Sequence, residues 1–278
     1  MIELKSPIHE DMVQPLEDHF CELTRSSWML FHEGPGKPHF VMGYFDTKPE
    51  ADEAWAGLRK AFKKLPEAYE ETVMADKDWK EAYKEHLKPW DHGRLHWVPA
   101  WMRGKYAVPA DAAVIWFDAG LAFGTGQHAT THGCMAAIAR LKKMRDFQNV
   151  ADIGTGTGVL AMAALQANRS ARAIASDIDP IAIDVAAENL ALNHFVAGAC
   201  AGRMALAVCP GLAAPSLRNR APYDLVLANI LAPPLIALAR DMARVIAPGG
   251  VLVMAGLLHH QQRAVANAYR RHGLVPAW

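Results

Sequence analysis

The sequence predicts a doubly wound α/β domain preceded by a small α+β domain. From Leu95 onward, apolar segments of strand length alternate with segments whose apolar residues recur at helical spacing, which indicates a parallel sheet with helices on both faces. Residues 1–76 instead follow the order strand, helix, strand, strand, helix, strand. A chain of 278 residues, 51% of them hydrophobic, is long enough to form one medium domain and one small domain.

The first 76 residues are predicted to form a ferredoxin-like domain, in which two helices cover one face of a four-stranded sheet. The second and third strands flank Glu33-Gly34-Pro35-Gly36-Lys37, whose glycines and proline indicate a hairpin. The second helix begins with acidic residues and ends with lysines, which is the order of charges that the helix dipole favours. The dipole is therefore the preferred explanation of the terminal lysines, and an RNA contact is the alternative. The predicted strands are 1–6, 27–31, 39–45 and 70–74, and the predicted helices are 9–25 and 49–65.

A linker is predicted over residues 77–94, because an amphipathic helix over 78–87 is followed by Lys88-Pro89-Trp90-Asp91-His92-Gly93, which ends it. Residues 95–278 then form the second domain, in which residues 209–222 are predicted to be a loop. The predicted strands of this domain are 114–118, 150–153, 173–176, 204–208, 225–228 and 250–255, and its predicted helices are 130–143, 158–167, 180–193, 235–246 and 261–272.

Charge and cysteine content argue against several classes of function. The 29 basic residues balance the 29 acidic ones, so the chain lacks the excess of positive charge that drives non-specific binding to nucleic acid or anionic membranes. The four cysteines form no C-x-x-C pair, and we expect reduced, mostly buried thiols. The sequence has no apolar leader and no apolar run of about eighteen residues, so we expect a soluble, cytoplasmic protein that does not bind membranes. The cysteines are Cys21, Cys134, Cys200 and Cys209.

The strongest functional motif is the segment 150–160, an apolar strand that continues into a glycine-rich turn and a helix. Gly154 and Gly156 let the backbone approach a ligand closely, and the new helix offers free amide donors. The spacing is G-x-G-x-G, whereas a dinucleotide fold prefers G-x-G-x-x-G facing a pyrophosphate. Asp152 before the turn would oppose a phosphate but suits the cationic end of an amino acid, so the motif favours a nucleoside joined to methionine.

Two polar residues are predicted to lie at the same edge of the sheet as this turn. Asp177 follows the next strand about twenty residues further on, where a carboxylate binds the two hydroxyls of a ribose in nucleoside-binding folds. Asn229 follows a later strand, and its amide could orient an amine. An asparagine that merely turns the chain is the alternative for Asn229, and its place at the switch point of the sheet favours the functional interpretation.

The glycine-rich segment 120–131 is predicted to fold over the cofactor before helix-capping threonines. Within it, Phe123 stacks on a base or belongs to the core, and the residues alone leave both interpretations open. His128 and His132 have the spacing of half a helical zinc site, but Ala129 stands where the H-E-x-x-H motif needs glutamate. We therefore expect no metal.

These motifs together resemble the ribosomal protein L11 methyltransferase (PrmA) family, whose members are class I enzymes with a Rossmann-like methyltransferase domain and a ferredoxin-like substrate-recognition domain. The glycine turn is general to class I methyltransferases, whereas the G-L-A-F-G-T-G loop combined with N-I-L is specific to this family and its close relatives. The resemblance covers nearly the whole chain. The matching positions are Asp78-Trp79, Lys88-Pro89, Gly120 to Thr131, Asp152 to Gly158, Asp177 to Pro180 and Asn229-Ile230-Leu231.

The resemblance implies that the protein binds S-adenosylmethionine, releases S-adenosylhomocysteine, and methylates lysine ε-amines of ribosomal protein L11, with the terminal α-amine as a further candidate. Asn229 is the candidate catalytic residue, because its amide could orient the acceptor amine. The implied partners are L11, free or on the large ribosomal subunit, and a local stretch of ribosomal RNA, with the enzyme acting as a monomer. The implied cofactor contacts are Phe123, Gly124, Thr131, Gly154, Gly156, Asp177 and Asn229.

The sequence departs from the family at two places. The family usually has proline where Ala129 stands. Chains of this fold also normally finish with an antiparallel hairpin, whose second strand would begin near Trp278, so we expect an exposed sheet edge.

Three alternatives remain open at the level of sequence. The enzyme could methylate a different protein lysine, and residues 1–74 would then recognise another acceptor. A nicotinamide oxidoreductase is disfavoured by the glycine spacing and by the lack of a second nucleotide-binding half. A binding module without catalysis is disfavoured by the intact glycine turn and Asp177.

Overall fold

A computed structural model of the protein describes residues 2–22, 27–32, 37–73, 87–118 and 129–277. The chain divides into two compact units, Met1–His86 and Leu87–Trp278. Each unit has a hydrophobic core cluster of its own, and each is described by itself. Within the described ranges, we find no helix that is both long and apolar enough to cross a membrane.

The first unit has the predicted order of strands and helices. Thr47 caps the second helix by accepting a hydrogen bond from the Glu50 backbone N–H at 3.4 Å, and Pro49 lies in the first turn, where a missing N–H breaks no helical bond. The elements are β1 (Ile2–Ile8), α1 (Val13–Glu22, after a 3₁₀ turn at Glu10–Met12), β2 (Trp28–His32), β3 (His39–Phe45), α2 (Lys48–Ala61) and β4 (Glu70–Val73).

The four strands of the first unit form one antiparallel sheet in the order β2-β3-β1-β4. One side of this sheet is covered by apolar side chains from both helices, including Leu16 of α1 and Trp55 and Leu58 of α2, which pack around Leu4 of β1. This arrangement confirms the predicted ferredoxin-like fold.

The boundaries predicted for the domains, 1–76, 77–94 and 95–278, stay predictions. Residues 74–86 lie outside the described residues, and the helix predicted over 78–87 falls almost entirely within that range. Residues 90–92 form a strand of the second unit, β5 (Trp90–His92), which pairs antiparallel with β6 (Leu95–Pro99).

The second unit begins with a three-stranded sheet in the order β5-β6-β7, in which β7 (Ala113–Phe117) runs parallel to β6. Trp97 and Phe117 are fully buried, with their rings stacked 4.7 Å apart. Only β7 was predicted from the sequence. Strands of three and five residues around a tight turn at Gly93 are too short to show a hydrophobic period.

The main sheet of the second unit has six parallel strands, and the loop predicted over residues 209–222 contains a short helix. The elements are α3 (Ala129–Met144), β8 (Asn149–Ile153), α4 (Val159–Ala167), β9 (Arg172–Asp177), α5 (Pro180–Leu192), β10 (Val196–Ala197), β11 (Arg203–Val208), α6 (Pro215–Arg220), β12 (Tyr223–Asn229), α7 (Ala232–Val245), β13 (Ile246–Ala255) and α8 (Gln262–Arg270).

The strand order β10-β11-β9-β8-β12-β13 confirms the doubly wound α/β prediction. The chain adds strands outward from β8 first in one direction and later in the other, so the switch point lies between β8 and β12. Side chains of α6, α7 and α8 pack together with the strands in one hydrophobic cluster. Ligand sites in such sheets lie at the carboxyl ends of the strands beside the switch point.

Two sequence predictions in this unit were wrong. The segment predicted as a loop contains α6, because Leu217 is fully buried and its carbonyl accepts a hydrogen bond from Tyr223 Oη at 2.6 Å. Helix α7 begins at Ala232 rather than at residue 235, since Pro233 and Pro234 fall in its first turn, where proline is tolerated.

The strand β13 lies at one edge of the main sheet. Within the described part of the chain it pairs with β12 alone, and the side chains from Val251 to Ala255 are partly exposed. A strand at the edge of a sheet has unpaired backbone N–H and C=O groups along one side.

Candidate cofactor-binding site

The glycine turn after β8 needs glycine at its first position. Gly154 has a φ of +74°, and a Cβ built there would lie 2.2 Å from Ile230 Cγ2, closer than any side chain can approach. Its backbone N–H donates to the Ser176 carbonyl at 2.8 Å, and the Thr155 N–H donates to the same oxygen at 2.9 Å. The turn is thereby fixed to the end of the neighbouring strand β9, by bonds that no sequence motif indicates because both are made by the backbone.

The carboxylate of Asp177 joins the glycine turn to the loop after β9. Asp177 Oδ2 accepts a hydrogen bond from the Gly156 N–H at 2.9 Å, and Oδ1 accepts one from the Asp179 N–H at 3.1 Å. Asp177 itself is partly exposed. The structure therefore brings three of the predicted site residues, Gly154, Gly156 and Asp177, together at the carboxyl ends of β8 and β9.

Asp152 supplies a buried carboxylate beneath the turn. It is 1% exposed, and its Oδ2 accepts hydrogen bonds from Thr155 Oγ1 at 2.7 Å and from the Ala161 N–H at 3.1 Å. Its Oδ1 is buried without a hydrogen-bond partner among the described residues. Burial raises the pKa of Asp152 from the ordinary value of 3.8 to about 6, opposed by the two hydrogen bonds and reinforced by the charge of Asp177.

Asn229 and Thr131 also lie together. Asn229 ends β12, and its Nδ2 donates to Thr131 Oγ1 of α3 at 3.4 Å. The register pairs Leu227 with Asp152, so Asn229 lies two residues further along, level with the glycine turn. Thr131 is 3% exposed, whereas Asn229 is partly exposed and accessible to a ligand at this edge of the sheet.

The remaining sequence predictions for the site concern residues 119–128. Phe123, Gly124 and His128 lie in this range, outside the described residues, so their predicted contacts stay predictions. His132 stacks on Trp90, with ring centroids 3.7 Å apart. Within the residues that the structure describes, no three or more His, Cys, Asp or Glu side chains are grouped so that they could hold a metal ion.

The described cysteines are free thiols. Cys134 and Cys209 are buried, and Cys200 is exposed. Burial, with a smaller contribution from the charge of Asp152, raises the pKa of Cys134 to about 12. A thiol that stays protonated at neutral pH is a poor nucleophile, so Cys134 acts as a packing residue behind the site.

The arrangement fits a nucleoside attached to a cationic amino acid. Asp177 at the edge of the sheet is placed for a ribose diol, and the glycine turn leaves the backbone open to close approach. The buried, unpartnered Oδ1 of Asp152 fits a positively charged ligand better than a phosphate. A phosphate at this turn would instead be opposed by the charge of Asp152.

Comparison with known proteins gives one consistent family. The family model described as ribosomal protein L11 methyltransferase (PrmA) matches residues 17–276. A ribosomal protein L11 methyltransferase from Bradyrhizobium diazoefficiens is 46% identical over 206 residues, which cover 74% of this chain and 67% of the relative. One from Rhizobium rhizogenes is 34% identical over 270 residues, 97% of this chain and 86% of the relative.

A solved structure shows the same similarity at the level of the fold. The crystal structure of a ribosomal protein L11 methylase from Lactobacillus delbrueckii subsp. bulgaricus aligns with a TM-score of 0.53 and 30% sequence identity. The alignment covers 65% of this chain and 84% of that chain.

The raised pKa of Asp152 predicts a pH dependence of stability. The folded protein holds this proton more tightly than the unfolded chain, so ionisation of Asp152 lowers the free energy of unfolding as the pH rises from about 4 to above 6. Asp152→Asn keeps an oxygen to accept from Thr155 and Ala161 but cannot ionise. We expect the free energy of unfolding of this variant, relative to that of wild type, to increase by roughly 2–3 kcal/mol between pH 4 and pH 7. Urea unfolding at several pH values measures this difference, and a difference that does not change with pH would contradict the prediction.

The position of Gly154 predicts a specific loss of stability. Gly154→Ala adds both left-handed backbone strain and a clash with Ile230, and we expect it to lower the free energy of unfolding by roughly 2–4 kcal/mol. Gly104→Ala is the matched control, because Gly104 has a φ of +81° with no atom within 4 Å of a built Cβ, so it adds strain alone, about 1 kcal/mol. Urea unfolding compares the two variants, and equal losses would show that Ile230 does not restrict the turn.

Proposed function

The chain belongs to the ribosomal protein L11 methyltransferase (PrmA) family and is an S-adenosylmethionine-dependent methyltransferase, and we propose that its acceptor is ribosomal protein L11. The acceptor groups are lysine ε-amines, with the terminal α-amine as a further candidate. The observation that supports this proposal best is the family match over residues 17–276, because it includes most of the first unit as well as the catalytic unit. A family defined by the glycine turn alone would say nothing of the acceptor.

We assign the cofactor to the edge of the main sheet. Asp177 would bind the ribose hydroxyls, Gly154 and Gly156 would let the backbone approach the cofactor, and the buried carboxylate of Asp152 would favour its positive charge. Thr131 and Asn229 would also contact the cofactor, and Thr131 would in addition orient Asn229. The proposal includes Phe123 and Gly124 as contacts from the segment 119–128.

Methyl transfer requires mainly that the acceptor amine is aligned with the methyl group. When bound, S-adenosylmethionine supplies an already activated methyl group, so the protein must hold the attacking nitrogen in line and exclude water. A lysine with an ordinary pKa of about 10.4 must lose its proton first, and a desolvated pocket favours the neutral amine. We propose that the amide of Asn229, fixed through its Nδ2 by Thr131, accepts a hydrogen bond from this amine and orients it.

We further propose that the first unit binds the acceptor protein. This unit has its own core and a sheet with one face covered by two helices, so it is organised as a domain separate from the one that holds the glycine turn. We propose that the enzyme is a monomer in the cytoplasm and that it binds L11 either free or on the large ribosomal subunit. A local contact with ribosomal RNA is included only for the ribosome-bound substrate.

A methyl-transfer assay tests the proposed acceptor. The purified protein is incubated with radiolabelled S-adenosylmethionine and the separated large-subunit ribosomal proteins, and we expect label on L11, which mass spectrometry should place on lysine or the terminal amine. Label on another ribosomal protein, with none on L11, would overturn the choice of acceptor while leaving the methyltransferase intact. Free L11 and intact large subunits as substrates, compared side by side, show which form is methylated.

Asp177→Ala is predicted to weaken the binding of S-adenosylhomocysteine by at least about tenfold, because the ribose loses a charged acceptor and the turn loses its tie to Gly156. Thr131→Ala is expected to have a smaller effect, about threefold, since it acts through Asn229. Asp184→Ala is the control, because Asp184 is an exposed acid on the following helix α5. Isothermal titration calorimetry measures the dissociation constants, and wild-type affinity in Asp177→Ala would refute the assignment of the ribose site.

A further inference from the structure

Two asparagines at the end of α5 bind the backbone of another segment. Asn189 lies in the last turns of α5 and is fully buried, and Asn193 follows one helical turn later at the carboxyl end of the helix. Residues four apart lie on one face of a helix, so the two amides point in the same direction. We call Asn189 and Asn193 the asparagine pair.

The asparagine pair takes the place of a neighbouring strand beside β7. Asn193 Oδ1 accepts from the Trp116 N–H at 2.7 Å, and its Nδ2 donates to the Trp116 carbonyl at 2.6 Å. Asn189 makes the same two bonds with Asp118, at 2.8 and 2.9 Å. Alternate residues of a strand present their N–H and C=O groups to the same side, and an asparagine amide carries the same donor and acceptor as a peptide. The pair therefore closes the edge of β7 that β6 leaves open.

Only Asn189 extends this contact to the glycine turn. Its Nδ2 also donates to the Thr157 carbonyl at 3.1 Å, so one buried amide is bonded both to Asp118 and to the turn that carries Gly154 and Gly156. Asn193 Nδ2 instead bonds to the Asn189 carbonyl at 2.8 Å within the helix and to Met162 Sδ of α4 at 3.8 Å, and among the described residues it makes no bond to the turn itself. The two asparagines thus make equivalent pairs of backbone bonds, Asn193 within β7 and Asn189 at Asp118 directly after it, but they differ in their connection to the candidate site.

We propose that Asn189 is a positioning residue for the cofactor, which holds the glycine turn at a fixed distance from the end of β7. The turn carries Gly154 and Gly156, so the inference rests on the proposed cofactor site. Asn189 does not touch the cofactor in this scheme. It acts through two backbone segments, and its loss would alter cofactor affinity more than a loss of stability alone explains.

The matched variants Asn189→Asp and Asn193→Asp test the proposal. Each keeps an oxygen to accept the N–H of β7 and replaces the donating Nδ2 by an oxygen that faces carbonyl oxygens. Both variants should therefore lose stability, and the melting temperature of each is measured as the reference. The decisive measurement is titration calorimetry with S-adenosylhomocysteine, which gives the dissociation constant and the binding-competent fraction separately.

We expect Asn189→Asp to raise the dissociation constant by about tenfold at an unchanged stoichiometry, and Asn193→Asp to change it by less than about twofold. A merely structural role would lower the competent fraction or the melting temperature in both variants without this difference in affinity. Equal dissociation constants in the two variants would overturn the proposal. If the aspartate variants do not fold, Asn189→Ser and Asn193→Ser give the same comparison with a smaller loss of stability.

The wild-type protein separates this inference from the assignment of the cofactor site. If wild type binds S-adenosylhomocysteine and Asn189→Asp binds it equally well, the positioning role fails and the cofactor site stands. If wild type shows no binding, the cofactor assignment itself fails, and the positioning role falls with it.

Discussion

The carboxylate of Asp177 is the interaction on which the candidate site depends most. Its two oxygens accept hydrogen bonds from Gly156 and Asp179, so one side chain holds the glycine turn and the loop after β9 in a fixed relation. The Ser176 carbonyl adds two further bonds from Gly154 and Thr155. These bonds are possible because β8 and β9 are parallel neighbours whose carboxyl ends meet at the switch point of the sheet. Without this topology, the glycine motif would be an ordinary turn.

Much of the fold could be predicted from the sequence, because it depends on regular hydrophobic periods. The alternation of strands and helices after residue 100 and the order of elements in the first unit both appear in the structure. The predictions were wrong where an element depends on one or two particular residues rather than on a repeating hydrophobic pattern. Helix α6 depends on one buried residue, Leu217, and the pair β5 and β6 is too short to show alternation. Helix α7 begins early because prolines, which usually end a helix, are accommodated in its first turn.

The candidate site could be predicted only as far as side chains in recognisable motifs define it. Gly154, Gly156, Asp177, Thr131 and Asn229 were predicted from spacing or resemblance, and the structure brings them together at one edge of the sheet. Asn189 was not predicted, since an asparagine within a helix has no sequence signature until its partners are known. Those partners are 71 and 32 residues away, and they are backbone groups. The Ser176 carbonyl was missed for the same reason, because any residue could supply it.

The site also concentrates features that oppose folding. Gly154, Gly156 and Gly158 all have left-handed backbone conformations, and glycine loses more conformational freedom on folding than other residues. Asp152 adds a buried carboxylate with one oxygen that no described group satisfies, which raises its pKa and lowers stability at neutral pH. An asparagine at position 152 would avoid this cost and still accept the hydrogen bonds from Thr155 and Ala161. A positively charged cofactor would offset the same cost by favouring the ionised carboxylate, so the residue that weakens the empty fold strengthens the bound one. The ionisable carboxylate at position 152 therefore makes physical sense for binding rather than for stability at neutral pH.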